Sequence, residues 1–178
     1  MAKKTLTATS KFLTYLIAIG GVLEQSLLFP KDIKRMGITG QWKTAASVRS
    51  AVYELCRRGY IKLEDKNAKR FLKITRKGEM EALFAKALLP RQDKWDGKWR
   101  LVMFDIPEQA REKRDKLRWL LKKNNFFPLQ ASVFISPYAL NREAILFLKR
   151  AGLISYIRIL KVEEMDDDRD LKKHFGLK

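Results

Sequence analysis

The chain has 178 residues, 46% hydrophobic and 33% charged. That is enough for one ordinary domain or two small ones, and too apolar for wholesale disorder. Thirty-eight Lys and Arg against 20 Asp and Glu give a formal charge of +18, so the expected partner is a polyanion, nucleic acid before an anionic membrane. A single Cys56 and a single His174 rule out an intrachain disulfide, argue against a Cys/His zinc site and suit a reducing, cytoplasmic compartment.

The charge is uneven. Residues 1–90 hold 18 basic and 7 acidic side chains, whereas residues 91–178 hold 20 and 13. The first half is therefore the stronger polyanion binder. Near its start, Lys3, Lys4 and Lys11 precede an apolar run from Phe12 to Leu23 that resembles a signal peptide. Glu24 and Gln25 interrupt it, no small-x-small cleavage site follows, and it is too short to span a bilayer. It reads as a buried first helix, from about Ser10 to Leu28.

Pro30 ends that helix and suits the first turn of a short one, Lys31 to Met36, closed by Gly37. A third helix is predicted from about Gln41 to Arg58, ending at Gly59. Then Tyr60 to Leu63 and Arg70 to Ile74 alternate as strands, and the residues between them form a charged hairpin tip. Thr75-Arg-Lys-Gly leads into a helix to about Ala87. Helix, helix, helix, hairpin is the order of a winged helix-turn-helix.

The run Pro90-Arg-Gln-Asp-Lys-Trp-Asp-Gly-Lys98 is polar and broken by Pro and Gly, and marks a linker. The predicted organisation is a domain over 1–90, a linker over 91–98 and a second domain over 99–178. In the second, Trp99 to Ile106 is an apolar strand, and Pro107 opens a helix to about Asn124 with Leu117, Leu120 and Leu121 on its apolar face. Phe126 to Ser136 is strand-like, as two strands or one kinked strand. Asn141 caps a helix to Ala151 stopped by Gly152, and Ser155 to Val162 is the last strand. A short tail follows from Asp166. The expected fold class is α+β: a winged helix followed by a ferredoxin-like βαββαβ domain.

The third helix carries the sharpest functional signal. Ala45, Val48, Val52 and Leu55 fall on one face. The other shows Lys43, Ala46, Ser47, Ser50, Tyr53 and Arg57, with Arg49 on the flank. Small and hydroxylated residues let a backbone sink into a major groove, where hydroxyls and cations reach base edges or phosphates. Lys43, Thr44, Ser47, Arg49, Ser50, Tyr53 and Arg57 are the candidate readers. Lys66, Asn67, Lys69 and Arg70 on the hairpin would follow phosphates or enter the minor groove, or simply protect a sheet edge.

Asp105 is the one catalytic candidate. It ends the first strand of the second domain, where two copies in a symmetric dimer could share one Mg²⁺ or Mn²⁺. The plainer reading, and the preferred one, is a cap for the helix that follows. Asp166, Asp167 and Asp168 lack the spacing of a calcium loop and read as a solvated turn. His174 reads as incidental. Phe126, Phe127, Trp95 and Trp99 read as packing groups rather than base platforms.

These residues resemble the PaaX-like family of transcriptional repressors. The likeness runs through Val48-Arg-Ser-Ala-Val-Tyr-Glu-Leu-Cys-Arg-Arg-Gly-Tyr-Ile61, Ile74-Thr-Arg-Lys-Gly78, Trp99-Arg-Leu-Val-Met-Phe-Asp-Ile-Pro107, then Arg111, Arg114, Leu117, Arg118 and Leu121, then Ser132-Val-Phe-Ile-Ser-Pro137. The second domain alone also resembles the small CRISPR-adaptation nucleases, the second of the Cas proteins, through Asp105 and Gln130-Ala-Ser-Val-Phe134. The first resemblance implies a DNA-binding repressor without cofactor or chemistry. The second implies a metal-dependent nuclease or a non-catalytic scaffold. Double-stranded DNA and a second copy of the chain are the expected partners. No membrane partner is expected, and no effector is assigned.

Overall fold

The computed structural model describes residues 7–25, 44–89 and 94–177. The chain divides into two compact units, 1–86 and 87–178.

In the first unit, α1 (Ala8–Ala18) is opened by Thr7, whose hydroxyl accepts from the Ser10 amide at 3.2 Å. The signal-like run is core: Phe12, Leu13 and Leu16 are fully buried. The helix does not continue to Leu28. Gly20 and Gly21 take φ of 89° and 83°, which only glycine adopts freely, and the chain turns into β1 (Val22–Glu24). The apolar periodicity runs on through Val22 and Leu23 because Leu23 is also buried, now from a strand. The helix expected over 31–36 lies outside the described residues.

α2 (Ala45–Arg57) and the hairpin β2 (Ile61–Lys66) and β3 (Lys69–Ile74) follow, then α3 (Arg76–Ala87). The sheet order is β1-β3-β2, all antiparallel. Its core joins Phe12, Leu13 and Leu16 to Val48, Val52 and Leu55, and to Ile61, Leu72, Ile74 and Ala82. Gly78 is required where it stands: a Cβ there would lie 2.1 Å from the Tyr60 carbonyl oxygen.

The second unit runs β4 (Trp99–Phe104), α4 (Arg111–Lys123), β5 (Phe127–Gln130), β6 (Val133–Ser136), α5 (Arg142–Arg150) and β7 (Ile157–Val162). The strand order β5-β6-β4-β7 is antiparallel at every pairing and is the ferredoxin-like arrangement. The strand-like stretch before Pro137 is thus two strands. Asn141 caps α5 as its sequence position suggests, its Oδ1 accepting from the Ala144 amide at 2.6 Å. Its Nδ2 donates to the carbonyls of Ala87 and Leu89 at the start of the unit, which explains why this asparagine is buried.

The C-terminal stretch is not a bare tail. Asp166 to Asp168 lead into α6 (Arg169–Phe175), whose Leu171 is buried with Trp99 and Ile135, with Trp95, Phe127, Val162 and Phe175 packed around them. The aromatic residues pack rather than present a stacking platform. Trp95 and Trp99 lie 5.3 Å apart, and His174 sits 4.2 Å from Phe127. No helix among the described residues is long and apolar enough to cross a membrane.

Candidate nucleic-acid interface

α2 is amphipathic in the way its sequence implies. Val48, Val52 and Leu55 are buried, which turns Ala46, Ser50, Tyr53 and Arg57 outward at helical spacing, with Arg49 exposed on the flank. Ala45 is exposed rather than core, because it opens the helix ahead of the first buried position. Tyr53 is 71% exposed. Ser50 and Arg49 have no side-chain partner among the described residues, whereas Lys43 lies outside them.

Two candidate readers are already engaged. Thr44 and Ser47 form a capping box. The Thr44 hydroxyl accepts from the Ser47 amide at 3.1 Å, and the Ser47 hydroxyl accepts from the Thr44 amide at 3.0 Å. Each satisfies an otherwise orphaned N–H of the first turn. Ser47 is therefore a cap, and of the two serines Ser50 has the free hydroxyl.

The basic candidates are held by acids. Arg57 grips Glu54 with two hydrogen bonds of 2.8 and 2.9 Å, and Arg58 adds a third at 2.6 Å. The Arg57 bonds, then those of Arg58, hold the Glu54 carboxyl down to about 2. On the hairpin, Arg70 pairs with Asp65 at 2.8 Å and Lys69 with Glu24 at 3.1 Å. The Arg70 hydrogen bond lowers Asp65 below the usual carboxylate range. Such exposed pairs are weak and exchangeable, so they orient these cations without removing them from a competing phosphate. The i,i+3 and i,i+4 spacing signals the Glu54 pairs; nothing local signals Glu24.

The hairpin is longer and tighter than its composition suggests. β2 and β3 pair through to Lys66 opposite Lys69, leaving only Asn67 and Ala68 as the turn. Both take left-handed φ, 51° and 58°, the two-residue turn whose twist matches the strands. Asn67 therefore serves the turn, while Lys66 is exposed beside it.

In the second unit Asp105 is exposed, but it caps nothing. A 3₁₀ turn (Glu108–Ala110) intervenes before α4, and neither segment receives a side-chain cap. Pro107 occupies the capping position, and Asp105 is held by its backbone, its amide donating to the Tyr156 carbonyl at 3.0 Å. Asp105 borders a groove of about 480 Å³ with Met103, Ser132, Ser155, Tyr156 and Arg158. Glu108 turns instead to Arg114, at 2.8 Å. Asp105 is the one acid among the residues lining this groove, and a lone carboxylate does not make a divalent-cation site within a single chain; no cluster of three metal-ligating side chains occurs among the described residues. Cys56 is half-buried, and burial pushes its thiol up, away from reactivity.

The β4-to-β7 unit with its helices defines a Cas2-like domain: residues 92–173 match the family described as PaaX protein central Cas2-like domain. Over these residues, less than half of its length, the chain is similar to that family. A comparison with curated proteins found no match.

Proposed function

We propose that this protein is a sequence-specific DNA-binding transcriptional regulator, a repressor, acting as a homodimer in the cytoplasm without a cofactor. The observation that carries the reading is α2. Its buried Val48, Val52 and Leu55 fix the orientation of an outward stripe of Ala46, Ser50, Tyr53 and Arg57, a small residue, a hydroxyl, an aromatic ring and a cation in the pattern of a groove-reading helix. In this reading the first unit is a winged helix. β2 and β3 are the wing, with Lys66 beside its tip. The PaaX-type match in the second unit is consistent with a regulator.

For the second unit the reading assigns self-association, since a two-fold dimer doubles the half-sites read. The uncovered sheet surface suits this: Met103, Leu129 and Leu160 are exposed, and Asp105 and Arg158 beside them offer both signs of charge to a second copy. That Asp105 is the one acid lining its groove, with Arg158 also on the lining, counts against the metal-dependent nuclease reading. The test is selection of bound duplexes from random DNA, with sedimentation of the protein alone. An approximately palindromic consensus and a dimer are expected. No enriched sequence, or a monomer with and without DNA, would contradict the proposal.

A further inference from the structure

α2 carries one acid, Glu54, and both of its carboxylate oxygens are taken by Arg57 and Arg58. Arg49, on the same helix, is left with none. The positions three and four away from it hold Ala45, Ala46, Val52 and Tyr53, so no carboxylate lies within helical reach. Cations at the end of a helix gain from its dipole, as Arg57 and Arg58 do. Arg49 stands in the second turn, where that gain is absent.

Tyr53 lies one turn further along the same side, about 6 Å on. It is exposed, and neither Tyr53 nor Arg49 has a side-chain partner among the described residues. A ring left in water adds nothing to the core, so packing does not account for it. The pair sits beside the outward line of Ala46, Ser50 and Arg57, on the flank away from Glu54. A helix lying in a groove turns its centre line to the base edges and its flanks to the sugar–phosphate walls.

We infer that Arg49 and Tyr53 clamp the backbone phosphates of one DNA strand and so set the register of α2, while Ser50 faces the bases. The inference rests on the DNA-reading proposal and divides the work of that helix. The planar fork of Arg49 matches two phosphate oxygens at once, and the Tyr53 hydroxyl supplies a neutral donor. Such contacts position a protein on the duplex and carry no sequence information themselves.

The experiment is fluorescence anisotropy of the full chain on two labelled duplexes, the selected sequence and its scrambled counterpart, over a range of salt concentrations. The selection from random DNA is repeated for each variant. Arg49→Ala should weaken both duplexes and make the slope of log affinity against log salt shallower by about 0.9, the value for one phosphate no longer neutralised. Arg49→Lys, which keeps the charge, should restore the slope. Tyr53→Phe, which removes only the hydroxyl, should weaken both duplexes by roughly 2- to 10-fold with the slope unchanged. The selected sequence should be the parent's in every case. Neither Arg49 nor Tyr53 is buried, so each variant should melt with the parent. Arg49→Ala with the parent's slope, or Tyr53→Phe with the parent's affinity, overturns the clamp and leaves the DNA-reading proposal standing. A changed base preference at one position from either variant makes that residue a base reader and overturns it as well. A parent that selects no sequence and binds neither duplex overturns both.

Discussion

The Trp99 indole N–H donates to a carboxylate oxygen of Asp168 at 3.0 Å, across 69 positions of sequence. Trp99 is 2% exposed on β4, and Asp168 precedes α6. The bond gives a buried donor its partner and fixes the last helix against the sheet. The indole, then Lys172, holds the Asp168 carboxyl below its usual range. Asp168→Ala should lower the melting midpoint by a few degrees and loosen α6, seen as faster amide exchange around Leu171. Asp168→Asn, which keeps an acceptor, should lose less. Equal, negligible effects from both would show that the bond does not anchor the helix.

Thr44 and Ser50 separate folding from reading. Thr44→Ala breaks the capping box and should cost about 0.5–2 kcal/mol in urea unfolding. Ser50→Ala should leave stability alone and alter base preference at one position of each half-site, by roughly 1–3 kcal/mol for a direct contact. The check is a melt of each variant beside a repeat of the sequence selection. A change of preference from Thr44→Ala and none from Ser50→Ala would reverse the assignment.

Ala68 bears a left-handed φ of 58° that disfavours any residue with a Cβ. Ala68→Gly completes an Asn-Gly turn of the preferred type and should stabilise the chain by about 1 kcal/mol. Chemical unfolding measures this, and a drop in stability would show that the turn is not strained.

Glu54 sets an acid limit. Its carboxyl falls from an ordinary value near 4.5 to about 2 through Arg57 and Arg58. A depressed folded value contributes stability that is fully present above about 4.5 and is lost as pH falls towards 2. Glu54→Gln should therefore destabilise at neutral pH, and its deficit relative to the parent should shrink across that window. A deficit constant with pH would mean the ion pairs are not its source.

What the sequence made legible is what local periodicity carries. The spacing of Val48, Val52 and Leu55 places the inner face of α2, and Asn141 with Gly152 brackets α5, because both signals lie within a turn or two of what they specify. Gly20 and Gly21 stood in plain view, but an apolar run passing through them hides a helix that becomes a strand. Lys66 and Lys69 are exposed on both strands of the hairpin, so no alternation marks how far it pairs. Asp105 looked like a cap because it precedes Ile106 and Pro107; the 3₁₀ turn after Pro107 moves the start of α4 out of its reach. Trp99 with Asp168, and Lys69 with Glu24, are joined by tertiary folding alone, and no short-range pattern announces them.

The most direct test of the central claim is the affinity of the full chain for a selected duplex and for its scrambled counterpart, measured from low to physiological salt. About 6 phosphate contacts predict a log–log slope near −5 for both duplexes, with the selected one bound at least ~10³-fold more tightly. A flat salt dependence, or equal affinity for the two duplexes at every salt concentration, would contradict the account.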